Sequence, residues 1–254
     1  MAHNPSVAVR GSLIRGLVFH IGMALSACLW AIPSLLTFPL PYGIRYWFIT
    51  RWSLWTIWWL RMTNSVRWEV DGLENIPDQA GVVMSNHQSA WETLALQGWF
   101  KPQTWVLKRE LMWLPFFGWA LSLLQPIAIN RETGRSAGRQ VIEQGRARLA
   151  AGIWVVVFPE GTRMAAGQKG RYRLGGAVLA CATGAKVVPI AHNAGEFWPR
   201  YGWRKRPGCI HVRIGKPIET QGLKPQQLLA QVQAWIEAQM PYLSKQSDPM
   251  TQTP

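Results

Sequence analysis

Acidic residues are scarce in this chain: 13 Asp and Glu stand against 27 Lys and Arg, leaving a net charge of +14 and a pI near 10.4. That balance favours polyanionic partners, whether nucleic acid, an anionic membrane surface or phosphorylated substrates. Cysteine is sparse as well. Cys28, Cys181 and Cys209 lie far apart and form no metal-like cluster, and their odd number suits free thiols in a reducing compartment. There is also no Walker loop for a nucleotidase and no group with zinc-like spacing. Repeats and low-complexity tracts are absent, and 254 residues suffice for one domain with a full core.

Tryptophan is abundant, at 16 residues. Trp beside Arg suits the membrane interface, where amphipathic rings settle among headgroups. From Leu17 to Leu40 the chain is almost continuously apolar, long enough for the ~20 residues a bilayer crossing needs. Pro33, Pro39 and Pro41 argue for a kink or a re-entrant end rather than a straight span. The run is too long for a signal peptide and lacks a cleavage site. Tyr46 to Met62 then mixes Trp47, Trp52, Trp55, Trp58 and Trp59 with Arg51 and Arg61, an interfacial composition. A membrane-dipping hairpin, one span plus a surface helix, and two buried core helices all fit this pattern. Nucleic acid is disfavoured, because the aromatics concentrate here and not among the basic residues that follow.

From Ser65 onward, strand and helix patterns alternate. Strands are expected at Val66–Val70, Val82–Met84, Thr104–Leu107, Pro126–Ile129, Trp154–Phe158 and Lys186–Ile190, with Ile210–Ile214 as an outer strand. Helices are expected at Ser89–Trp99, Gly134–Ala150, Gly175–Thr183 and Pro225–Met240. The fold class is therefore α/β, a mostly parallel sheet flanked by helices with an N-terminal membrane-associated helical segment. The expected divisions are 1–63 for the anchoring helices, 64–243 for the catalytic domain and 244–254 for a disordered tail.

One stretch concentrates the chemistry. Gly81 to Glu92 is an apolar run that ends abruptly at Ser85, Asn86 and His87, a strand delivering a polar tip. His87 and Glu92 are five residues apart, which on one helix leaves them about 140° from facing each other. His87 must therefore sit in a turn, with Glu92 in the first turn of the next helix. Ser89-Ala90-Trp91-Glu92 is a capping-box pattern that places this break, with Ser89 at the N-cap. The carboxylate can then orient the imidazole, leaving the other ring nitrogen to take a proton from a hydroxyl. Taken alone, the same residues would serve equally as a helix cap and a strand end.

A second strand, Ile153 to Phe158, ends in Pro159-Glu160-Gly161-Thr162-Arg163. The ordered pair, His-x-x-x-x-Glu then Phe-Pro-Glu-Gly-Thr-Arg, resembles the glycerolipid acyltransferase family, in particular its 1-acylglycerol-3-phosphate acyltransferases. The resemblance covers residues 65–215 and departs at Glu92, where the family usually has Asp. It implies His87 as general base and Glu92 as its carboxylate partner. It further implies a phosphate site built from Lys108 in the Leu107–Trp119 block, Arg131 in Ile127–Arg131, and Glu160, Gly161 and Arg163. Glu160 would hold the acceptor glycerol or organise the loop. Val187–Ile190 resembles a block on the acyl-donor side. No metal or cofactor is implied. Expected partners are lysophosphatidic acid, acyl-CoA or acyl carrier protein as donor, and membrane phospholipid, with the catalytic domain on the cytoplasmic side of the inner membrane. The implied reaction acylates the 2-hydroxyl of lysophosphatidic acid, giving phosphatidic acid. Another lysolipid or glycerol 3-phosphate as acceptor, and a non-catalytic anionic-lipid binder, are the alternatives.

Overall fold

Val82–Met84, Val155–Val157 and Val187–Ile190 are apolar without alternation, as in strands buried on both faces. In the computed structural model, which describes residues 11–129 and 135–246, they form the middle of a seven-stranded sheet. The strands are β1 (Val66–Asp71), β2 (Val82–Ser85), β3 (Gln103–Lys108), β4 (Ile127–Ile129), β5 (Trp154–Val157), β6 (Val187–His192) and β7 (Gly208–Ile214). Their spatial order is β1-β7-β6-β2-β5-β3-β4. Every pairing is parallel except β6–β7. The carboxyl ends of β2, β3, β5 and β6 therefore open on one edge, the usual place for a site in such a sheet.

β7 is not the outer strand expected from its alternation; it lies between β1 and β6. Ile210, Val212 and Ile214 enter the core on one face. On the other face the polar residues find lateral partners. His211 Nδ1 lies 3.5 Å from Glu69, and Arg213 reaches Asp71 at 3.7 Å and Gln239 at 2.8 Å.

Helices cover both faces. Val83, Val156, Val188 and Ile190 pack toward helices α2 (Tyr42–Asn64) and α3 (Trp91–Ala95). Met84, Val155, Val157 and Ala191 pack toward α5 (Arg135–Ala150), α6 (Gly175–Thr183) and α8 (Pro225–Gln246). α8 continues past the expected Met240 and takes in the first three residues of the expected tail. The short helices α4 (Phe117–Ser122) and α7 (Ala194–Phe197) complete the set.

α1 (Leu13–Leu36) and α2 form an antiparallel hairpin whose turn is set by Pro41 at the N-cap of α2. Trp30 stacks on Phe48 at 5.2 Å, and Trp52 Nε1 donates to Ser26 Oγ at 3.1 Å. α2 buries Tyr46, Ile57 and Leu60 in the core, so it is a structural wall of the domain. The outer side of α1 is bare, with Leu25, Leu29 and Leu36 at 61, 74 and 75% exposure. Its first turns are nonetheless docked on the 198–206 loop. At Gly16 any Cβ would come within 2.0 Å of the Trp203 carbonyl oxygen, so only glycine allows this approach. Phe19 sits edge-on to Trp198 at 4.9 Å, and the buried Lys205 ammonium reaches His20 Nε2 at 3.3 Å. Burial pushes the Lys205 pKa down to about 8.

Candidate active site

β2 ends at Ser85, and the next residues turn His87 away from the strand axis. α3 begins at Trp91 with Ala90, not Ser89, at the N-cap. The reciprocal bonding of a capping box survives all the same: Ser89 Oγ accepts from Trp91 N at 3.1 Å, and Ser89 N donates to Glu92 Oε1 at 2.8 Å. The same oxygen accepts from Gln88 N at 2.9 Å and from His87 Nδ1 at 2.8 Å. The carboxylate partner obliges Nδ1 to carry the proton, which leaves Nε2 unprotonated as a base. The His87 ring is stacked on Phe158, 4.1 Å between centroids.

Glu92 is wholly buried. Burial alone would raise its pKa; the imidazoles of His192 and His87, with the Nδ1 and Ser89 donors, reverse that and hold it below the ordinary carboxylate range. His192, at the end of β6, is also buried. Its Nε2 donates to the Asn86 carbonyl at 2.9 Å and its Nδ1 accepts from Ala194 N at 3.2 Å, which fixes the neutral tautomer. Burial likewise lowers its pKa. Asn86 closes the junction by bonding the His192 backbone twice, at 2.8 and 3.1 Å.

Glu160 serves the backbone of His87. Its Oε2 accepts from His87 N at 2.6 Å, while Met164 N donates to the His87 carbonyl at 2.7 Å. Desolvation raises the Glu160 pKa to about 7, the His87 amide opposing it and Glu92 adding to it. Gly161, at φ +68°, turns the loop between these two grips, a conformation that favours glycine.

His87 opens onto a groove of about 490 Å³. Its walls are mainly apolar, with Ala27 and Ala31 from α1, Trp52 from α2, Trp105 from β3 and Leu121 from α4. Lys108, Gly161 and Arg163, three residues of the expected phosphate site, line it together with His87. Glu160 does not line it, and Arg131 lies outside the described residues. Arg200 and Tyr201 line the same groove and were not singled out from sequence. Arg200 stacks on Tyr201 at 4.6 Å and donates to the Arg163 carbonyl at 3.0 Å, so two arginines from neighbouring loops meet at the groove.

A family model described as Acyltransferase matches residues 67–193, half of the chain, and this span holds the His87–Glu92 pair, Lys108 and Arg163. The chain belongs to the acyltransferase family. It is 45% identical over 236 residues to a 1-acyl-sn-glycerol-3-phosphate acyltransferase of Pseudomonas aeruginosa, covering 91% of this chain and 92% of that one. It is 34% identical over 172 residues to the alpha 1-acyl-sn-glycerol-3-phosphate acyltransferase of sheep, covering 65% of this chain and 59% of that one. A crystal structure of the 1-acyl-sn-glycerophosphate (LPA) acyltransferase PlsC from Thermotoga maritima has the same fold, with a TM-score of 0.76 at 23% identity. It covers 91% of this chain and 95% of that one. In this acyltransferase, His192 was legible by the logic that found His87, a strand closing on polar residues, in Ala191-His192-Asn193. Arg200 sits in a loop whose composition carries no such signal.

Proposed function

We propose that this acyltransferase moves a fatty acyl group from an acyl thioester to the 2-hydroxyl of 1-acylglycerol 3-phosphate, producing phosphatidic acid. The observation that carries the reading is the His87–Glu92 pair, its carboxylate wholly buried, at the wall of an apolar groove lined also by Lys108, Arg163 and Arg200. His87 Nε2 takes the proton of the acceptor hydroxyl as its oxygen attacks the thioester carbonyl carbon. Collapse of the tetrahedral intermediate breaks the carbon–sulfur bond, and the imidazolium returns the proton to the leaving thiolate. Glu92 stays ionised throughout and favours the imidazolium. No acyl-enzyme forms, and the scheme uses no metal or cofactor.

The cationic side chains would hold the acceptor phosphate, Arg163 and Arg200 offering paired donors to its oxygens and Lys108 a point charge. Glu160 and Gly161 act on the loop instead: the first clamps the His87 amide and the second permits the turn. The apolar walls would take an acyl chain, whose transfer from water contributes ~0.8 kcal/mol per methylene.

The hairpin supports a membrane-bound site entered from one leaflet. Among the described residues, α1 alone is long and apolar enough to cross a bilayer, by length and composition. Yet its start is docked on the 198–206 loop and α2 returns directly into β1, so both ends of the hairpin belong to the domain. A re-entrant hairpin with the bare side of α1 in lipid satisfies both facts, and the domain then faces the cytoplasm, where acyl-CoA and acyl carrier protein are found. Incubating the purified protein in vesicles with labelled acyl-CoA or acyl carrier protein and a panel of lysolipids and glycerol 3-phosphate tests the assignment. Phosphatidic acid formed from lysophosphatidic acid is the expected outcome. Preference for another acceptor would overturn the substrate, and no transfer to any acceptor would overturn the reaction.

A further inference from the structure

Glu92 stands where the family pattern has aspartate, and its two carboxylate oxygens are treated differently. Oε1 collects three donors. Oε2 is buried without a hydrogen-bond partner and faces His192, 3.9 Å from Nε2. The His192 ring cannot swing to meet it, because Asn86 O and Ala194 N occupy its two nitrogens. A neutral imidazole, its N–H edge held rigidly beside a carboxylate oxygen, limits the carboxylate's rotation and presents it with a favourable dipole. An aspartate would end one carbon–carbon bond short, about 1.5 Å. It could keep the three donors or the contact with His192, but not both.

We propose that His192 is a positioning residue for the His87–Glu92 pair and is the partner that makes glutamate, rather than aspartate, the matched acid in this chain. His192 touches neither the groove nor a reacting atom. It works by fixing the far side of the carboxylate whose near side holds His87 Nδ1. Asn86 then has a second role beyond its place next to the histidine, since three of its bonds seat the His192 ring and backbone. The inference rests on the proposed acyl transfer for its kinetic readout and on geometry alone for its second readout.

The test is a double-mutant cycle of Glu92→Asp with His192→Leu, with His192→Gln as the conservative variant. Glutamine can still donate to the Asn86 carbonyl but lacks the ring edge beside Oε2. With Glu92 in place, His192→Leu should lower kcat by roughly tenfold or more and leave both KM values within about twofold, with His192→Gln in between. With Asp at 92 the same changes should cost less than about threefold, the non-additivity expected of residues in contact. Equal losses in both backgrounds, or losses confined to KM, would overturn the proposal. If His192→Leu does not fold, His192→Gln decides by the same comparison. The cycle is repeated on thermal unfolding midpoints, where coupling supports the contact and additivity overturns it even if the wild-type chain transfers no acyl group.

Discussion

Three donors converge on Glu92 Oε1, and their number sets what substitutions in this pair should do. Removing the imidazole with His87→Ala should lower initial rates by the ~10²–10⁴ typical of a lost general base. Glu92→Gln should be severely impaired too, because an amide offers no charge to favour the imidazolium, whereas Glu92→Asp should keep partial activity. A folded His87→Ala protein with near-normal turnover would refute the assignment. Glu160 gives a different kind of prediction. Its folded pKa of about 7 lies above the ordinary 4.5, so between those values the folded chain holds a proton that the unfolded chain has released. Stability should therefore fall as pH rises through that window, by at most ~1.4 kcal/mol per unit, and level off above it. Glu160→Gln removes the slope while its amide oxygen still accepts the His87 N–H. Unfolding curves of the two proteins should converge below about pH 4.5 and separate, with the variant higher, by about pH 7; parallel pH dependences would show that Glu160 is not the titrating group.

At the level of elements, the groove is walled on one side by small residues of α1, and if the acyl chain lies there as proposed, the helix should set chain length. Ala31 is buried and lines the groove. Ala31→Phe should displace methylenes from the wall, at ~0.8 kcal/mol or about fourfold in KM for each one lost. Long-chain donors should suffer and short-chain donors should not, in a competition assay with mixed chain lengths. Uniform loss across lengths would place the acyl chain elsewhere. The elements themselves were read with unequal success, for physical reasons. Val82–Met84 and Trp154–Val157 were legible because burial on both faces leaves unbroken apolar runs. β7 misled because its polar positions, His211 and Arg213, are satisfied by β1 and α8, and a partner on a neighbouring strand leaves no trace in local alternation. The His87–Glu92 pairing followed from five-residue spacing and a capping pattern. His192 escaped because the expected strand stopped at Ile190, two residues short of its polar tip, and Arg200 because it joins the site through a tertiary contact about 40 residues away in sequence.

For the whole molecule, the proposed membrane binding has two sources, of which salt weakens only one. The net charge of +14 would draw the chain to anionic lipid at about 1 kcal/mol per well-placed Lys or Arg, an attraction that salt screens. The bare side of α1 contributes roughly 1.5–3 kcal/mol for each large apolar side chain buried, and salt does not weaken it. Deleting the hairpin would not separate these terms cleanly, since α2 places Ile57 and Leu60 in the core and their loss would unfold the sheet's cover. The sharper test replaces Leu25, Leu29, Ile32 and Leu36 with glutamine, all four exposed on α1. Wild-type protein should stay with the membrane fraction through high salt and alkaline carbonate. The fourfold variant should bind at low salt through its charge, leave at high salt, and melt at a similar temperature in detergent. Its activity should fall more on membrane-embedded acceptor than on dispersed short-chain acceptor, because only the former requires the groove to be held at the interface. Recovery of the wild-type chain in a high-salt supernatant without detergent would overturn this reading, leaving charge alone to bring the enzyme to its lipid.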